Sequence, residues 1–136
     1  MTGREAGLVF DKHGGAIHWH LPPDRSGGAL PDSKELWYVL WDNRDELGGF
    51  AHTHPWSGSA WPSSTDTSTF SAIEIGLGER LVWPVVTFTE VGYFVWIGPG
   101  KYDYGPMEGR RFRIPRDNIE RLRELSRHAE EEDDAG

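Results

Sequence analysis

Two histidines and one aspartate are spaced so that they could bind a metal ion together. His52 and His54 lie two positions apart, and in a β-strand such residues point to the same face. Pro55 closes the predicted strand, and Asp66 falls in the first turn of the helix predicted after the next loop. Two imidazoles and one carboxylate suit a catalytic zinc ion, which keeps a fourth position open for water. The pattern therefore favours a zinc site.

Each part of this pattern also has a simpler interpretation. A His-x-His pair in a strand is more often a packed or half-exposed pair than a pair of metal ligands. Ser63 and Asp66 have the spacing of a capping box at a helix N-terminus. A second pair, His18 and His20, has no Pro, Ser or Asp at a useful distance after it, and we interpret it as a half-exposed strand face.

Taken together, these residues resemble the signature of the JAB/MPN metallopeptidases, also called JAMM proteases. The resemblance covers His52-x-His54-Pro55 and Ser63-x-x-Asp66, and the family adds a glutamate just before a first strand. Glu5 matches that glutamate, since the apolar run 6–10 follows it and it stands 47 positions before His52. The chain is similar to the prokaryotic single-domain members, because it lacks the long insertion that lines the ubiquitin groove of eukaryotic relatives.

The resemblance implies a role for each residue. His52, His54 and Asp66 would bind Zn²⁺, and the ion would lower the pKa of its bound water toward neutrality. Glu5 would take a proton from that water as general base. Ser63 would donate a hydrogen bond to the oxyanion of the tetrahedral intermediate.

Glu35 is the rival candidate for the general base. It stands three positions after Asp32, a spacing that predicts a capping box at the first helix. Because this cap already accounts for Glu35, we prefer Glu5. Since Glu5 is close to the first residue of the sequence, we expect it to make few contacts.

Trp56 and Trp61 lie in the loop between the two halves of the signature. Either they pack in the core, or they line a groove for an extended substrate, because indole is amphipathic and suits such an edge. The sequence leaves both interpretations open.

Apolar periodicity and turn residues predict the elements that position these residues. In chain order they are a hairpin over 7–20 with its turn at 11–15, a helix from Asp32 to about Glu46 ended by Gly48 and Gly49, a strand over 49–54, a helix from about Asp66 to Leu77, an edge or bulged strand over 81–89 containing Pro84, a strand over 91–97, a loop over 99–109, a last strand Arg111–Ile114 and a terminal helix opened by Pro115.

This order predicts a mixed α/β (α+β) fold. The resemblance implies the JAB/MPN-like, cytidine-deaminase-like sandwich, in which helices flank a mixed β-sheet. We expect one domain over 1–128 and a solvated, disordered acidic tail over 129–136.

Composition excludes several other classes. The chain has 136 residues, 37% of them hydrophobic, and 7 Trp, which excludes global disorder. The absence of Cys excludes disulfides, thiolate metal sites and a Cys nucleophile. No apolar run is long enough for a transmembrane helix and no signal peptide is recognisable, so we expect a cytoplasmic protein. The net charge of −8 argues against nucleic-acid binding, although 7 of the 14 basic residues cluster over 110–127.

The predicted zinc site and the resemblance to the JAB/MPN family together imply a zinc-dependent metallopeptidase or isopeptidase that hydrolyses an amide bond. The resemblance implies a protein or peptide substrate with an extended C-terminal tail, such as a ubiquitin-like protein. Two alternatives stay open: a peptidase that acts on a cell-wall or phage-assembly peptide, and a non-catalytic MPN-like scaffold that binds a partner.

Overall fold

Helices and strands alternate along the chain. The computed structural model describes residues 3–109 and 113–127. Over these residues the elements are β1 (Gly7–Asp11), β2 (Ala16–His20), α1 (Lys34–Asp42), β3 (Leu47–Thr53), α2 (Ser64–Leu77), β4 (Trp83–Val86), β5 (Val91–Trp96), β6 (Tyr104–Pro106) and α3 (Arg116–Arg127). The predicted mixed α/β class is confirmed. The predicted acidic tail over 129–136 lies outside the described residues.

The strands form one mixed sheet in the order β2-β1-β3-β4-β5-β6. β3 and β4 run parallel, and the other neighbouring pairs run antiparallel. Because successive residues of a strand point to opposite faces, Val9 and Phe50 enter one core and Leu8 and Ala51 enter the other. The first core also contains apolar residues of α1 and α2, and the second contains those of α3. The sheet therefore lies between two helical layers.

The predicted hairpin is confirmed, and its turn has a local cause. The Asp11 carboxylate accepts hydrogen bonds from the backbone N–H groups of His13 and Gly15, at 2.8 and 3.0 Å. Gly14 adopts a φ of 86°, which favours glycine. These contacts close the connection between β1 and β2.

The first helix is shorter than predicted, and its cap is a different residue. Ser33 is the N-cap, because its hydroxyl accepts from the backbone N–H of Leu36 at 3.1 Å. The predicted cap, Asp32, instead accepts from Trp37 Nε1 at 3.0 Å. Glu35 therefore lies one position too early in the helix to complete a capping box.

Gly48 and Gly49 do not terminate α1, which ends at Asp42. They belong to β3, and a Cβ on either would collide with backbone atoms, those of Asp11 at Gly48 and those of Val82 at Gly49. The glycine pair thus allows β3 to approach its neighbours closely, which explains the error in the predicted helix end.

Pro84 lies in the interior of the sheet, so the prediction of an edge or a bulge is wrong. β4 pairs with β3 on one side and β5 on the other. β3 and β4 keep one register from the bridge between Gly49 and Val82 to the pair formed by His52 and Val85. No pairing links β3 and β4 at Pro84. Because proline has no N–H to donate, the ladder is interrupted there without a change of register.

The C-terminal part differs from the prediction in one strand. Residues 104–106, expected in a loop, form β6 against β5. Of the strand predicted over Arg111–Ile114, the first two residues lie outside the described part, and Arg113 and Ile114 are not in a strand. The terminal helix is confirmed as α3. In the described part of the chain, no helix is both long and apolar enough to cross a membrane.

Candidate metal centre

The two histidines lie at the end of a central strand. His52 is in β3, where it pairs with Gly7 of β1 and with Val85 of β4. His54 follows the last residue of β3, and its backbone N–H donates to Val86 O at 2.9 Å. Both side chains are buried. The strand thus directs two imidazoles to the face of the sheet that α1 and α2 cover, as the His-x-His spacing predicted.

Asp66 reaches this pair from the first turn of α2. Ser63 is the N-cap of that helix, and its hydroxyl accepts from the backbone N–H of Asp66 at 3.1 Å. In return, Asp66 Oδ2 accepts from the backbone N–H of Ser63 at 2.8 Å. The predicted capping box is therefore confirmed, and it directs the Asp66 carboxylate toward the histidines.

Three potential ligand atoms converge at one point. His52 Nε2 lies 3.1 Å from Asp66 Oδ2, His54 Nε2 lies 3.0 Å from it, and the two nitrogens lie 3.1 Å apart. A tetrahedral zinc site with bonds of about 2.0–2.1 Å separates its ligand atoms by about 3.3 Å. The donor types and their spacing fit a zinc ion with an open position, and His52, His54 and Asp66 form a group that could bind a metal.

The electrostatics of this group favour an ionised carboxylate. Burial acts to raise the pKa of Asp66, but hydrogen bonds from His52, His54 and the Ser63 backbone outweigh it and lower the pKa well below its ordinary value. Asp66 is therefore a carboxylate at neutral pH, as a metal ligand must be. The Nδ1 atom of His54 is buried and has no hydrogen-bond partner in the part of the chain that the structure describes.

Glu5 lies beside this group, directly before β1. The pairing of Gly7 with His52 continues into a hydrogen bond from Thr53 N to Ala6 O, at 2.9 Å. This register sets Glu5 opposite His54, on the same face of the sheet. A Cβ at Gly7 would lie 2.7 Å from the Phe50 ring, so any larger residue two positions after Glu5 would force that ring to shift.

Glu5 is buried, with only 5% of the residue exposed, so the expectation that it makes few contacts is wrong. Burial raises the pKa of its carboxyl above the ordinary value, the charges of His52 and His54 oppose the shift, and that of Asp66 adds to it. The electrostatic influence of all three on Glu5 agrees with its place beside them. A raised pKa brings a carboxyl closer to the range in which a general base works best.

Glu35 lies away from the three converging residues. Its side chain is 75% exposed and its carboxylate is 3.6 Å from His18 Nε2. His20 is buried, and its Nε2 lies 2.6 Å from Pro31 O. The second His-x-His pair therefore has one partly buried and one buried member. Neither belongs to a group of three or more potential metal ligands among residues 3–109 and 113–127.

The two loop tryptophans lie at the surface. Trp56 is 47% and Trp61 55% exposed, so neither is a core residue. The Trp56 ring lies against His54, with the ring centres 4.6 Å apart, and Trp61 packs against Phe94 at 5.0 Å. A role in lining a substrate groove stays a prediction.

Two residues that support Glu5 could not be predicted from the sequence. Arg25 and Ser126 are buried; Arg25 donates a hydrogen bond to Glu5 O, and the Ser126 hydroxyl donates one to Arg4 O. They lie 20 and 122 positions from their partners, and no periodicity or motif links residues so far apart.

No known protein-family model matches the chain, and no curated protein matches it either.

Proposed function

We propose that this protein is a zinc-dependent hydrolase of amide bonds, a metallopeptidase or isopeptidase of the JAMM type. The observation that carries the proposal is the convergence of His52 Nε2, His54 Nε2 and Asp66 Oδ2 within 3.0–3.1 Å of one another, with the buried Glu5 beside them. Two nitrogen ligands, one carboxylate and a neighbouring base are the parts that metal-assisted hydrolysis needs.

In this proposal His52, His54 and Asp66 hold the zinc ion. When bound, the ion lowers the pKa of a water and polarises the amide carbonyl. The Glu5 carboxylate accepts a proton and returns it to the leaving amine. Ser63 Oγ uses a lone pair for the Asp66 N–H, so its own proton remains for a substrate oxygen.

The proposed substrate is a polypeptide that binds as an extended chain, such as the C-terminal tail of a ubiquitin-like protein or its conjugate. Two half-exposed indoles, Trp56 and Trp61, support this choice. Trp56 contacts a proposed zinc ligand, so a chain that lies on it would pass next to the reacting centre. Aromatic walls of this kind bind apolar stems and backbone without selecting one side chain.

Metal content and hydrolysis test the proposal together. Elemental analysis of the purified protein should find about one zinc per chain, as expected for a single site. Hydrolysis should be measured on reporter amides at the C-terminus of ubiquitin-like proteins and on short peptide amides. Chelation should remove activity, and added zinc should restore it.

Two results would contradict the proposal. Absence of stoichiometric zinc after zinc-supplemented purification would refute the proposed zinc site. Stoichiometric zinc with no hydrolysis across both substrate groups would favour the scaffold alternative, in which the site binds a partner without turnover. Hydrolysis of short peptides alone would refute the proposed ubiquitin-like substrate, whereas the proposed zinc-dependent amide hydrolysis would stand.

A further inference from the structure

The peptide group that precedes Glu5 is held at both of its polar atoms. The Ser126 hydroxyl donates to Arg4 O at 2.6 Å. The Glu5 N–H donates to Ser26 O at 2.8 Å. Ser126 comes from the last turn of α3 and is 0% exposed, so water does not compete for its hydroxyl. This peptide plane is therefore fixed by two parts of the chain that are distant in sequence.

The peptide group that follows Glu5 is held in the same way. Arg25 Nη1 donates to Glu5 O at 3.2 Å, and the Ala6 N–H donates to the Thr53 hydroxyl at 2.8 Å. Thr53 stands between the two histidines of the metal centre and is 1% exposed. With both peptide planes fixed, the direction in which the Glu5 side chain leaves the backbone is also fixed.

Two hydroxyls join these planes into one chain of hydrogen bonds. The Ala6 N–H donates to Thr53 Oγ1, the Thr53 hydroxyl donates to Ser126 Oγ at 3.0 Å, and the Ser126 hydroxyl donates to Arg4 O. The chain starts and ends on the residues that flank Glu5. All its donors point in one direction, and such chains reinforce each other in a dry interior.

We propose that Thr53 and Ser126 are positioning residues, whose two hydroxyls hold Glu5 opposite His54. This inference rests on the proposed function, because it assigns the positioned carboxylate to the general base. It also gives α3 a task beyond covering the sheet. Through Ser126, the helix ties the N-terminal segment to the strand that carries the histidines.

Substitutions of the two hydroxyls test the proposal. Ser126→Ala removes the hydroxyl that links Thr53 to Arg4 O in the series of hydrogen bonds. Thr53→Val removes both hydrogen bonds of the Thr53 hydroxyl at nearly constant side-chain volume. Each variant should keep one zinc per chain, and its kcat should fall roughly tenfold to a hundredfold with little change in KM, because a small misplacement of a catalytic group costs this much. Thr53→Ser retains the hydroxyl and should restore most of the kcat.

A second readout does not depend on activity. Amide hydrogen exchange at Glu5 and Ala6 should become about tenfold faster in Ser126→Ala and Thr53→Val, because local opening of the N-terminal segment becomes easier. Ile119→Val is the matched control. Ile119 is a buried residue of the same helix, and it packs in the core between α3 and the sheet. It should leave the exchange at Glu5 and Ala6 and the kcat unchanged.

The outcomes separate this inference from the proposed function. If the wild type hydrolyses a substrate and both hydroxyl-deleted variants keep its kcat and its exchange rates, the positioning role is overturned and the function stands. A drop in kcat that Ile119→Val reproduces, or that Thr53→Ser does not rescue, also overturns it. An inactive wild type refutes the proposed function, and the exchange rates then decide whether the hydroxyls hold the segment.

Discussion

The protein contains two His-x-His pairs on the same face of one sheet, and they differ in how a carboxylate meets them: Asp66 Oδ2 lies within 3.1 Å of both His52 and His54, whereas Glu35 lies 3.6 Å from His18. His18 and His20 lie on the edge strand β2; His52 lies near the end of the central strand β3, and His54 directly follows that strand. Gly7 of β1 pairs with His20 on one side and with His52 on the other. The motif and its local conformation are therefore nearly the same in both places.

The difference comes from what the rest of the chain brings to each pair. α2 begins just above His52 and His54, and its capping box turns Asp66 Oδ2 to within 3.1 Å of both. At β2, the carboxylate of the exposed Glu35 lies 3.6 Å from His18 Nε2, and His20 Nε2 lies 2.6 Å from Pro31 O. The two pairs have the same spacing and differ in that a helix N-terminus brings a carboxylate oxygen to within 3.1 Å of both His52 and His54.

Removal of a proposed zinc ligand should have the largest effect. His52→Ala or Asp66→Ala should abolish zinc binding and hydrolysis, because two ligands are too few for a stable site. The double variant His18→Ala/His20→Ala is the matched control and should keep one zinc per chain with wild-type turnover. Elemental analysis measures both. Stoichiometric zinc in both ligand variants, or half the metal in the double variant, would contradict the assignment.

The next effect concerns the two glutamates associated with the two pairs. Glu5→Gln keeps the size of the side chain but cannot accept a proton, so turnover should fall by roughly 10²–10⁴ with zinc retained. Glu35→Gln should change turnover little, since Glu35 is exposed and lies beside the other histidine pair. Steady-state kinetics at matched zinc content compares them. An active Glu5→Gln with an inactive, zinc-loaded Glu35→Gln would exchange the two roles.

The group of potential metal ligands could be predicted from sequence because its parts are local. Strand periodicity relates His52 to His54, and a capping box relates Ser63 to Asp66, so each pair lies within four positions. Only the packing of α2 on β3, which brings these two pairs together, does not follow from local patterns. The mixed fold class followed in the same way from the order of periodic segments.

The errors arise where tertiary contacts outweigh local preference. Gly48 and Gly49 have the sequence of a helix end but serve the close approach of neighbouring strands. Pro84 fits in a central strand because the ladder of β3 and β4 skips that position. The contact of Ser126 with Arg4 spans 122 positions, and no pattern along the chain encodes it. The support of Glu5 was therefore invisible although Glu5 itself was predicted.

A smaller effect separates the two tasks of Ser63. Ser63→Ala removes the helix cap and should cost about 1 kcal/mol of stability, whereas Ser63→Gly should cost only a few tenths. Both remove the hydroxyl, so both should lower kcat by roughly 10²–10³ if it donates to the oxyanion, as we propose. Urea unfolding and kinetics on the two variants distinguish the roles. Normal turnover in Ser63→Gly would leave Ser63 as a cap alone.

The smallest effect is a pH-dependent stability difference between the same two glutamates, measured in metal-stripped protein. Burial raises the folded-state pKa of Glu5 above its unfolded value, so the folded protein binds a proton more tightly than the unfolded chain does. The ionised Glu5 therefore destabilises the fold at neutral pH, and this penalty disappears as the pH falls through the folded pKa toward the unfolded one. Glu5→Gln carries no such charge. Its urea midpoint should exceed that of the wild type at pH 7 and converge toward it in acid, while Glu35→Gln should follow the wild type throughout.

A Glu5→Gln midpoint that lies below the wild type at pH 7 and rises relative to it in acid would mean that the ionised Glu5 stabilises the fold. In that case the Glu5 carboxylate would be a partner of the two histidines, and the contrast between the two histidine pairs would rest on two carboxylates instead of Asp66 alone.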